Sequence, residues 1–302
     1  MIKQTSLPVG YEYELYTEIK ELFHAGAKRL HRNHYGPKIY TDLQRAALLI
    51  LYVRSNCSLR RFCDVYLIES RWPQWLGLRE IPAKSTLHDW MKQFDMCLLR
   101  KLNKQLLADE QPETMAIDGT GIDSWQASRH YEKRIRLRNT RPYAKADVLI
   151  DTETLLVHDF SLRINPRNDN YIAKPMLRRA PQRGALILGD KGYDTEELYK
   201  ICAQNKNRFF APVRNHPRTG QPRKRLPWHK RKSHRIETDY HKRSLVESTI
   251  RSLKTRITAL RSRLHYMKKR EFALHVLARN LEIKISLLLR HLHILVRFAH
   301  HT

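Results

Sequence analysis

Residues 238–264 read TDYHKRSLVESTIRSLKTRITALRSRL and contain neither Pro nor Gly. Their apolar residues recur at alternating spacings of four and three, which predicts one continuous helix with a single apolar stripe. The stripe consists of Val246, Ile250, Leu253, Ile257, Leu260 and Leu264. On a helical wheel Glu247 lies beside this stripe, together with Tyr240, Arg243 and Lys254. These polar residues either balance charge on a solvated helix or belong to a functional site. The residues upstream distinguish the two interpretations.

The composition indicates a nucleic-acid partner. The 302 residues carry 57 Lys and Arg against 30 Asp and Glu, which gives a formal net charge of +27. A chain this basic repels itself unless a polyanion neutralises it. The charge is spread along the chain, whereas a membrane-surface protein usually concentrates it on one amphipathic helix. We therefore expect a protein that binds nucleic acid and no membrane, and that is cytoplasmic and associated with the nucleoid.

The cysteines and the chain ends predict no further site. None of the four Cys residues forms a C-x-x-C pair, so we expect neither a zinc site nor a disulfide framework. The N-terminal residues lack the apolar core of a signal peptide. Residues 285–296 are interrupted by Arg and His, and the segment is too short and too polar to span a bilayer.

Residues 1–110 predict an all-helical domain. The expected helices are 13–30, 42–53, 59–68 after a Ser58 cap, and 86–99 after a Ser85 cap. Short helices joined by a tight turn are typical of helix-turn-helix modules, so we expect this domain to bind DNA ends. A plain helical bundle is the alternative. By position, the candidate base contacts are Lys84, Ser85, Thr86, His88 and Lys92.

From residue 111 the pattern changes to short apolar runs that predict strands. We expect strands at 113–117, 146–150, 155–162, 185–188 and 208–213, and helices at 168–180 and 195–205. This hairpin-led mixed sheet with interleaved helices is an α/β arrangement. The first and fourth strands end in Asp118 and Asp190, and carboxylates at strand ends face the ligand position of such sheets. The other acids nearby are expected to form turns or caps: Asp123, Asp147, Asp151 and Asp194.

The segment 214–243 predicts a long basic loop. It holds eleven Lys and Arg residues against two acids, and Pro and Gly interrupt it repeatedly. We expect it to become ordered on a phosphate backbone. The alternative is a loop that is merely solvated.

The acids Asp118, Asp190 and Glu247 are expected to act together in phosphoryl transfer. Two-metal catalysis needs a pair of divalent ions, one to activate the attacking oxygen and one to stabilise the leaving oxygen. Mg²⁺ prefers carboxylate oxygens. Three acids clustered without metal would repel one another. We therefore expect Asp118, Asp190 and Glu247 to hold two Mg²⁺ ions, with Mn²⁺ as a substitute.

This set resembles the DDE triad of ribonuclease H-like transposases. The spacing Tyr240-x2-Arg243-x3-Glu247-x6-Lys254 matches the Y-R-E-K signature of prokaryotic insertion-sequence transposases. Asp190-x-Gly192-Tyr193 is similar to the second acid motif of that class, and Asp118-Gly-Thr-Gly to the first. The resemblance covers about residues 115–264. The gap between the second and third acids leaves no room for the inserted β domain of some relatives.

The resemblance implies catalytic and metal-binding roles for Asp118, Asp190 and Glu247. It implies a ribonuclease H-like domain over residues 111–302, with a mixed sheet, flanking helices, the basic loop and C-terminal helices. Residues that would position DNA phosphates are Tyr240, Arg243 and Lys254, and we add the neighbouring cations Arg251 and Lys191. Candidates for stacking on an unpaired base are Trp125, Tyr143 and Trp228, for which core packing is the alternative.

The implied function is that of a transposase. Such an enzyme binds the terminal inverted repeats of its element as double-stranded DNA, cleaves them and joins the 3′ ends to target DNA. Paired ends imply a homodimer in the synaptic complex. Two alternatives remain open, a nuclease or resolvase of the same fold without strand transfer, and a non-catalytic basic nucleic-acid-binding protein.

Overall fold

The computed structural model describes residues 10–24, 39–123, 143–164, 168–180, 182–212 and 239–299, with the backbone alone for residues 143 and 291–299. The described chain divides into two compact units, one of residues up to Ala108 together with those from Ala273, the other Asp109–Phe272. The sequence pattern instead assigns the C-terminal helices to the second domain. Most of the predicted basic loop, residues 214–238, lies outside the described residues.

The first unit is helical, as predicted. Up to Ala108 its elements are α1 (Tyr11–His24), α2 (Asp42–Ser55), α3 (Leu59–Arg61), a π-helical turn (Phe62–Tyr66), α4 (Leu67–Glu69), α5 (Trp72–Trp75), α6 (Lys84–Gln93) and α7 (Met96–Leu106). Helix α2 starts at a capping box in which the side chains of Thr41 and Gln44 each accept a hydrogen bond from the other residue's backbone amide. Its following residues, from Ala46 to Val53, are all buried, so α2 forms the centre of this unit.

The helix predicted at 86–99 after a Ser85 cap is in fact two helices. Helix α6 begins at Lys84 after Ala83, and Ser85 lies inside its first turn. The break follows from Asp95, whose carboxylate accepts a hydrogen bond from the Leu98 amide at 2.8 Å and caps α7. A carboxylate at the N-cap stabilises the start of a helix, so Asp95 favours a new helix at this point.

The second unit contains the predicted mixed sheet. Its strands are β1 (Thr114–Asp123), β2 (Tyr143–Asp151), β3 (Val157–Arg163), β4 (Leu186–Leu188) and β5 (Arg208–Phe210). They lie in the order β3-β2-β1-β4-β5. β1, β2 and β3 are antiparallel neighbours, whereas β4 and β5 run parallel to β1. This mixed sheet with interleaved helices is the α/β arrangement that the sequence pattern predicts.

Strand β1 is longer than predicted. The sequence pattern ends it at Asp118 and expects a turn at the following glycines, but β1 continues to Asp123 and pairs with β2 along its whole length. Asp118 therefore lies within the strand. Gly119 allows this continuation, because a Cβ there would lie 2.5 Å from Asp147 Oδ1 and 3.1 Å from Lys145 Cε. Two polar side chains of β2 occupy the space that any other residue would need.

The two faces of the sheet carry different helices. On one face, Met115, Ile117 and Leu149 join a core cluster with apolar residues of α8 (Asp169–Arg179) and α9 (Glu196–Gln204). Side chains alternate along a strand, so Asp118 points to the other face. Helix α10 (Leu245–Arg256) packs against β1 and β2. The sheet thus separates a hydrophobic core from the face that carries the first predicted acid.

The helix predicted over 238–264 is α-helical only in α10. A 3₁₀ turn, Tyr240–Ser244, precedes α10, which ends before Ile257. The following segment forms tertiary hydrogen bonds, because the Leu260 amide donates to Asp123 O and the next two amides donate to the Glu271 carboxylate, each at 2.8 Å. These bonds replace those of a continued helix. The last element is one long helix, α11 (His265–Ala299), and no described helix has the length and apolar character to cross a membrane.

We expect Gly119→Ala to destabilise the protein by about 1–3 kcal/mol, because overpacking a filled site forces neighbours to move. Chemical denaturation measures the change. Thr120→Ala, the next residue of β1, is the control and should cost less than about 1 kcal/mol. Equal stability of Gly119→Ala and the wild-type protein would contradict the close packing described here.

Candidate active site

Two of the three predicted acids lie at matching positions on two neighbouring strands, Asp118 within β1 and Asp190 just beyond β4. Ala116 of β1 pairs with Leu188 of β4 in parallel, and Asp118 and Asp190 each follow two residues later. Neighbouring strands lie about 4.8 Å apart, and the charge of Asp190 raises the pKa of Asp118, so the two acids lie close together. Asp190 also starts a short 3₁₀ turn, in which its Oδ1 accepts a hydrogen bond from the Gly192 amide at 2.8 Å.

The third predicted acid is connected to Asp118 through Arg243. Glu247 lies in the first turn of α10, and Arg243 lies in the preceding 3₁₀ turn. Arg243 Nη2 donates to Asp118 Oδ2 at 3.0 Å, and Nη1 donates to Glu247 Oε1 at 3.0 Å. The two nitrogens belong to one rigid guanidinium, so the two carboxylate oxygens are no more than about 8 Å apart.

The two ion pairs of Arg243 differ in strength. The side chains of Arg243 and Asp118 are 20% and 18% exposed, whereas that of Glu247 is 61% exposed. Water screens an exposed pair, so the contact with Asp118 contributes more to holding the arrangement. Arg243 is thus fixed mainly at Asp118 and reaches Glu247 from there.

The acids influence one another electrostatically. Burial raises the pKa of Asp118, while the Gly119 amide and the Arg243 guanidinium lower it, and the charges of Asp190 and Glu247 raise it further. Burial also raises the pKa of the nearby Tyr240 phenol, with a smaller contribution from Asp190. Three carboxylates that repel one another gain free energy from any cation placed among them.

The donor set fits a hard divalent cation, but the acids are not arranged around one. Asp118, Asp190 and Glu247 offer only carboxylate oxygens, which are the ligands that Mg²⁺ and Mn²⁺ prefer. Within the described ranges, no group of three or more His, Cys, Asp or Glu side chains is close enough to hold an ion. Arg243 accounts for this separation, because its guanidinium lies between Asp118 and Glu247. Closing the acids on a cation therefore requires Arg243 to move.

Asp147 lies within β2, next to β1, and does not form a turn or a cap as the sequence suggests. Asp147 is 1% exposed and lies opposite Gly119 in the β1–β2 pair. Neither of its carboxylate oxygens has a hydrogen-bond partner among the described residues. The Tyr193 hydroxyl is near enough to influence Asp147, but no hydrogen bond of ordinary geometry joins them. Burial raises the pKa of Asp147 to about 7, and the charge of Lys145 partly opposes this.

The predicted DNA-contacting cations other than Arg243 lie on the surface. Lys191 follows Asp190 directly, and Arg251 and Lys254 lie on α10; all three are exposed and make no ion pair within the described part of the chain. Glu247, Arg251 and Lys254 are spaced by four and three, so they share one helix face. Tyr240 is half-buried, and its ring contacts the edge of Phe210 at 5.5 Å between centroids.

The remaining candidates are placed only in part. Lys84 and Ser85 are exposed at the start of α6, Lys92 is exposed near its end, and Thr86 and His88 are partly exposed. Tyr143 begins β2. Trp125 and Trp228 lie outside the described residues.

The pKa of Asp147 predicts a specific pH dependence. Because its pKa is higher in the folded state (about 7, against an ordinary 3.8), the folded protein holds an extra proton between these values, and its stability falls as pH rises through this window. We expect Asp147→Asn to be more stable than wild type at pH 8, on the order of 2–4 kcal/mol, and similar to it near pH 4. Urea unfolding at both pH values measures this, and a constant difference would contradict it.

Comparisons with known proteins bear on what this site is. No curated protein sequence matches the chain. Among solved structures, the chain is similar to the cryo-EM structure of a piggyBac transposase synaptic complex with hairpin DNA, at 10% sequence identity and a TM-score of 0.42, over 90% of this chain and 72% of that chain. A family model of the transposase DDE domain matches residues 109–281, which is more than half of the chain and contains all three predicted acids. The chain therefore belongs to the transposase DDE domain family.

Proposed function

We propose that this protein is a transposase that binds the ends of an insertion element, cleaves them and joins the 3′ ends to target DNA. The observation that carries the proposal is the single guanidinium of Arg243, which contacts both Asp118 and Glu247 at 3.0 Å. Asp190 follows the neighbouring strand in register with Asp118. These contacts support a common site for three acids from distant parts of the chain, in a domain of the DDE family.

The three acids have distinct roles in this proposal. Asp118, on the central strand between Asp190 and Glu247, is best placed to share two divalent ions. Asp190 and Glu247 would each complete the ligands of one of them. When bound, Mg²⁺ or Mn²⁺ would supply Lewis-acid activation of the attacking oxygen and stabilisation of the leaving oxygen. Every donor is a rigidly placed or helix-borne carboxylate, which favours a fixed separation between the two ions.

Arg243 has two successive tasks in the proposal. In the arrangement described above it compensates the charges of Asp118 and Glu247 and so keeps them folded close together. When Asp118 and Glu247 hold divalent cations, the guanidinium would no longer be needed to compensate their charge and would be available to a DNA phosphate. Arginine suits this exchange, because its planar fork binds carboxylate and phosphate in the same bidentate way.

The exposed cations supply a path for one DNA strand. Arg251 and Lys254 follow Glu247 along the same face of α10, and Lys254 lies about 10 Å from it along the helix axis. That distance corresponds to one or two nucleotide steps of a phosphate backbone. Lys191 approaches the same centre from the Asp190 turn, and Tyr240 would help to position the strand. We propose that these four residues hold the scissile strand.

The partners and the place of action follow from this chemistry. The proposed substrates are double-stranded terminal repeats and target DNA, so the proposed place of action is the nucleoid. The helical first unit would recognise the ends through the exposed start of α6, where Lys84 and Ser85 lie. Joining two ends at once requires two active sites, and we propose a homodimer in the synaptic complex.

The proposal is tested with Asp118→Asn, Asp190→Asn and Glu247→Gln. We expect each variant to bind a duplex of the DNA that flanks the reading frame, but to nick and join it at least about 10³-fold more slowly in Mg²⁺, because several kcal/mol of transition-state stabilisation are lost. Gel assays with labelled duplexes measure binding, nicking and joining separately. Glu153→Gln, an exposed acid in the β2–β3 turn, is the matched control and should behave as wild type.

Undiminished nicking by any of the three variants would contradict the assignment of that residue. Normal nicking by the wild-type protein, but no joining of pre-cut ends, would replace the transposase proposal with a nuclease of the same fold.

A further inference from the structure

Asp169 lies close to the predicted site, although no sequence motif marks it. It occupies the first turn of α8, directly after Asn168, whose side chain caps the helix. The body of α8 packs on the core face of the sheet. The start of the helix lies near the turn that contains Asp190, because Asp169 and Asp190 both lie close to Gly192.

Gly192 lies beside two carboxylates. A Cβ at this position would lie 2.9 Å from Asp190 Oδ1 and 3.5 Å from Asp169 Oδ2, so the two oxygens are no more than about 6.4 Å apart. One hard cation with its waters spans such a separation. A side chain at this position would displace the Asp190 carboxylate, so Gly192 allows both acids to approach the same point of the backbone.

Lys145 compensates the negative charge of Asp169. Lys145 Nζ forms an ion pair with Asp169 Oδ1, and the side chains of Lys145 and Asp169 are only 18% and 33% exposed. Lys145 also passes beside Asp147, because Lys145 Cε and Asp147 Oδ1 both lie close to the Cβ position of Gly119. Asp147 is buried, and neither of its oxygens has a partner in the described part of the chain. One ammonium thus lies near two acids, because it forms an ion pair with Asp169 and its charge also acts on Asp147.

We propose that Asp169 is a fourth acid of the active site, which helps to hold the divalent cation bound at Asp190, with Lys145 as its counter-ion when no divalent cation is bound. This inference rests on the proposed function. Two observations carry it, the approach of the Asp169 and Asp190 carboxylates at Gly192 and the buried Asp147 next to Lys145, whose oxygens make no hydrogen bond of ordinary geometry within the described ranges. When Asp169 turns to a divalent cation, the ammonium of Lys145 remains beside Asp147 and neutralises it.

The test is the affinity of the metal-stripped full-length protein for Mn²⁺, which is followed by the electron paramagnetic resonance signal of free Mn²⁺. We expect Asp169→Asn to weaken binding about 10-fold, as loss of a supporting carboxylate commonly does. Asp190→Asn should weaken it at least as much. Glu196→Gln removes an acid from the corresponding first turn of α9, where Glu196 forms an ion pair with Lys200, and should leave binding unchanged.

Lys145→Met separates metal binding from the ion pair. It breaks the same ion pair as Asp169→Asn but keeps the carboxylate, so we expect its Mn²⁺ affinity to equal or exceed that of wild type. If both variants weakened binding equally, the role of Asp169 would be structural and the inference would be wrong. Should Asp169→Asn fold poorly in thermal melting, Asp169→Ser, which suits a helix start, carries the same expectation.

The outcomes distinguish this inference from the proposed function. Wild-type Mn²⁺ affinity in Asp169→Asn, together with weak binding in Asp190→Asn, overturns the role of Asp169 alone. Wild-type affinity in both variants overturns the metal site of the proposed function as well.

Discussion

The second unit depends on one interaction, the contact of the Arg243 guanidinium with Asp118 on one side and Glu247 on the other. Without a cation, three acids drawn to one place would repel one another and resist folding. Arg243 comes from the same short segment as Glu247, so the element that delivers the third acid also delivers the charge that compensates it. The contact of Arg243 with Glu247 is largely exposed to water, so it is weak enough to be replaced by a contact of Glu247 with a cation.

The sheet provides the rigid part of this arrangement. β1 is its central strand, with antiparallel β2 on one side and parallel β4 on the other. The parallel register of β1 and β4 sets the positions of Asp118 and Asp190 before any side chain is considered. The core cluster on the opposite face, built from α8, α9 and the strands, holds this register. In this account, binding of a cation changes side-chain contacts, above all those of Arg243 and Lys145, and leaves the sheet unchanged.

Much of this could be predicted from the sequence, and the failures have physical causes. Local patterns were sufficient to predict the short apolar strand that ends just before Asp190 and the helix that carries Glu247. The length of β1 could not be predicted, since it depends on pairing with β2 through Gly119. The end of α10 could not be predicted either, because distant groups, Asp123 and Glu271, provide the hydrogen bonds that stop the helix. The burial of Asp147 could have been predicted, because Asp147 and the apolar Leu149 are two residues apart and lie on the same face of the strand.

The most direct test of the account is a crystal structure of the protein soaked in Mn²⁺, with the ions located by anomalous scattering. The account predicts Mn²⁺ bound to Asp118, with Asp190 and Glu247 closed on the ions and the guanidinium of Arg243 displaced from both acids. Arg243 still bridging Asp118 and Glu247 at saturating Mn²⁺, with no anomalous signal beside Asp118, would contradict it.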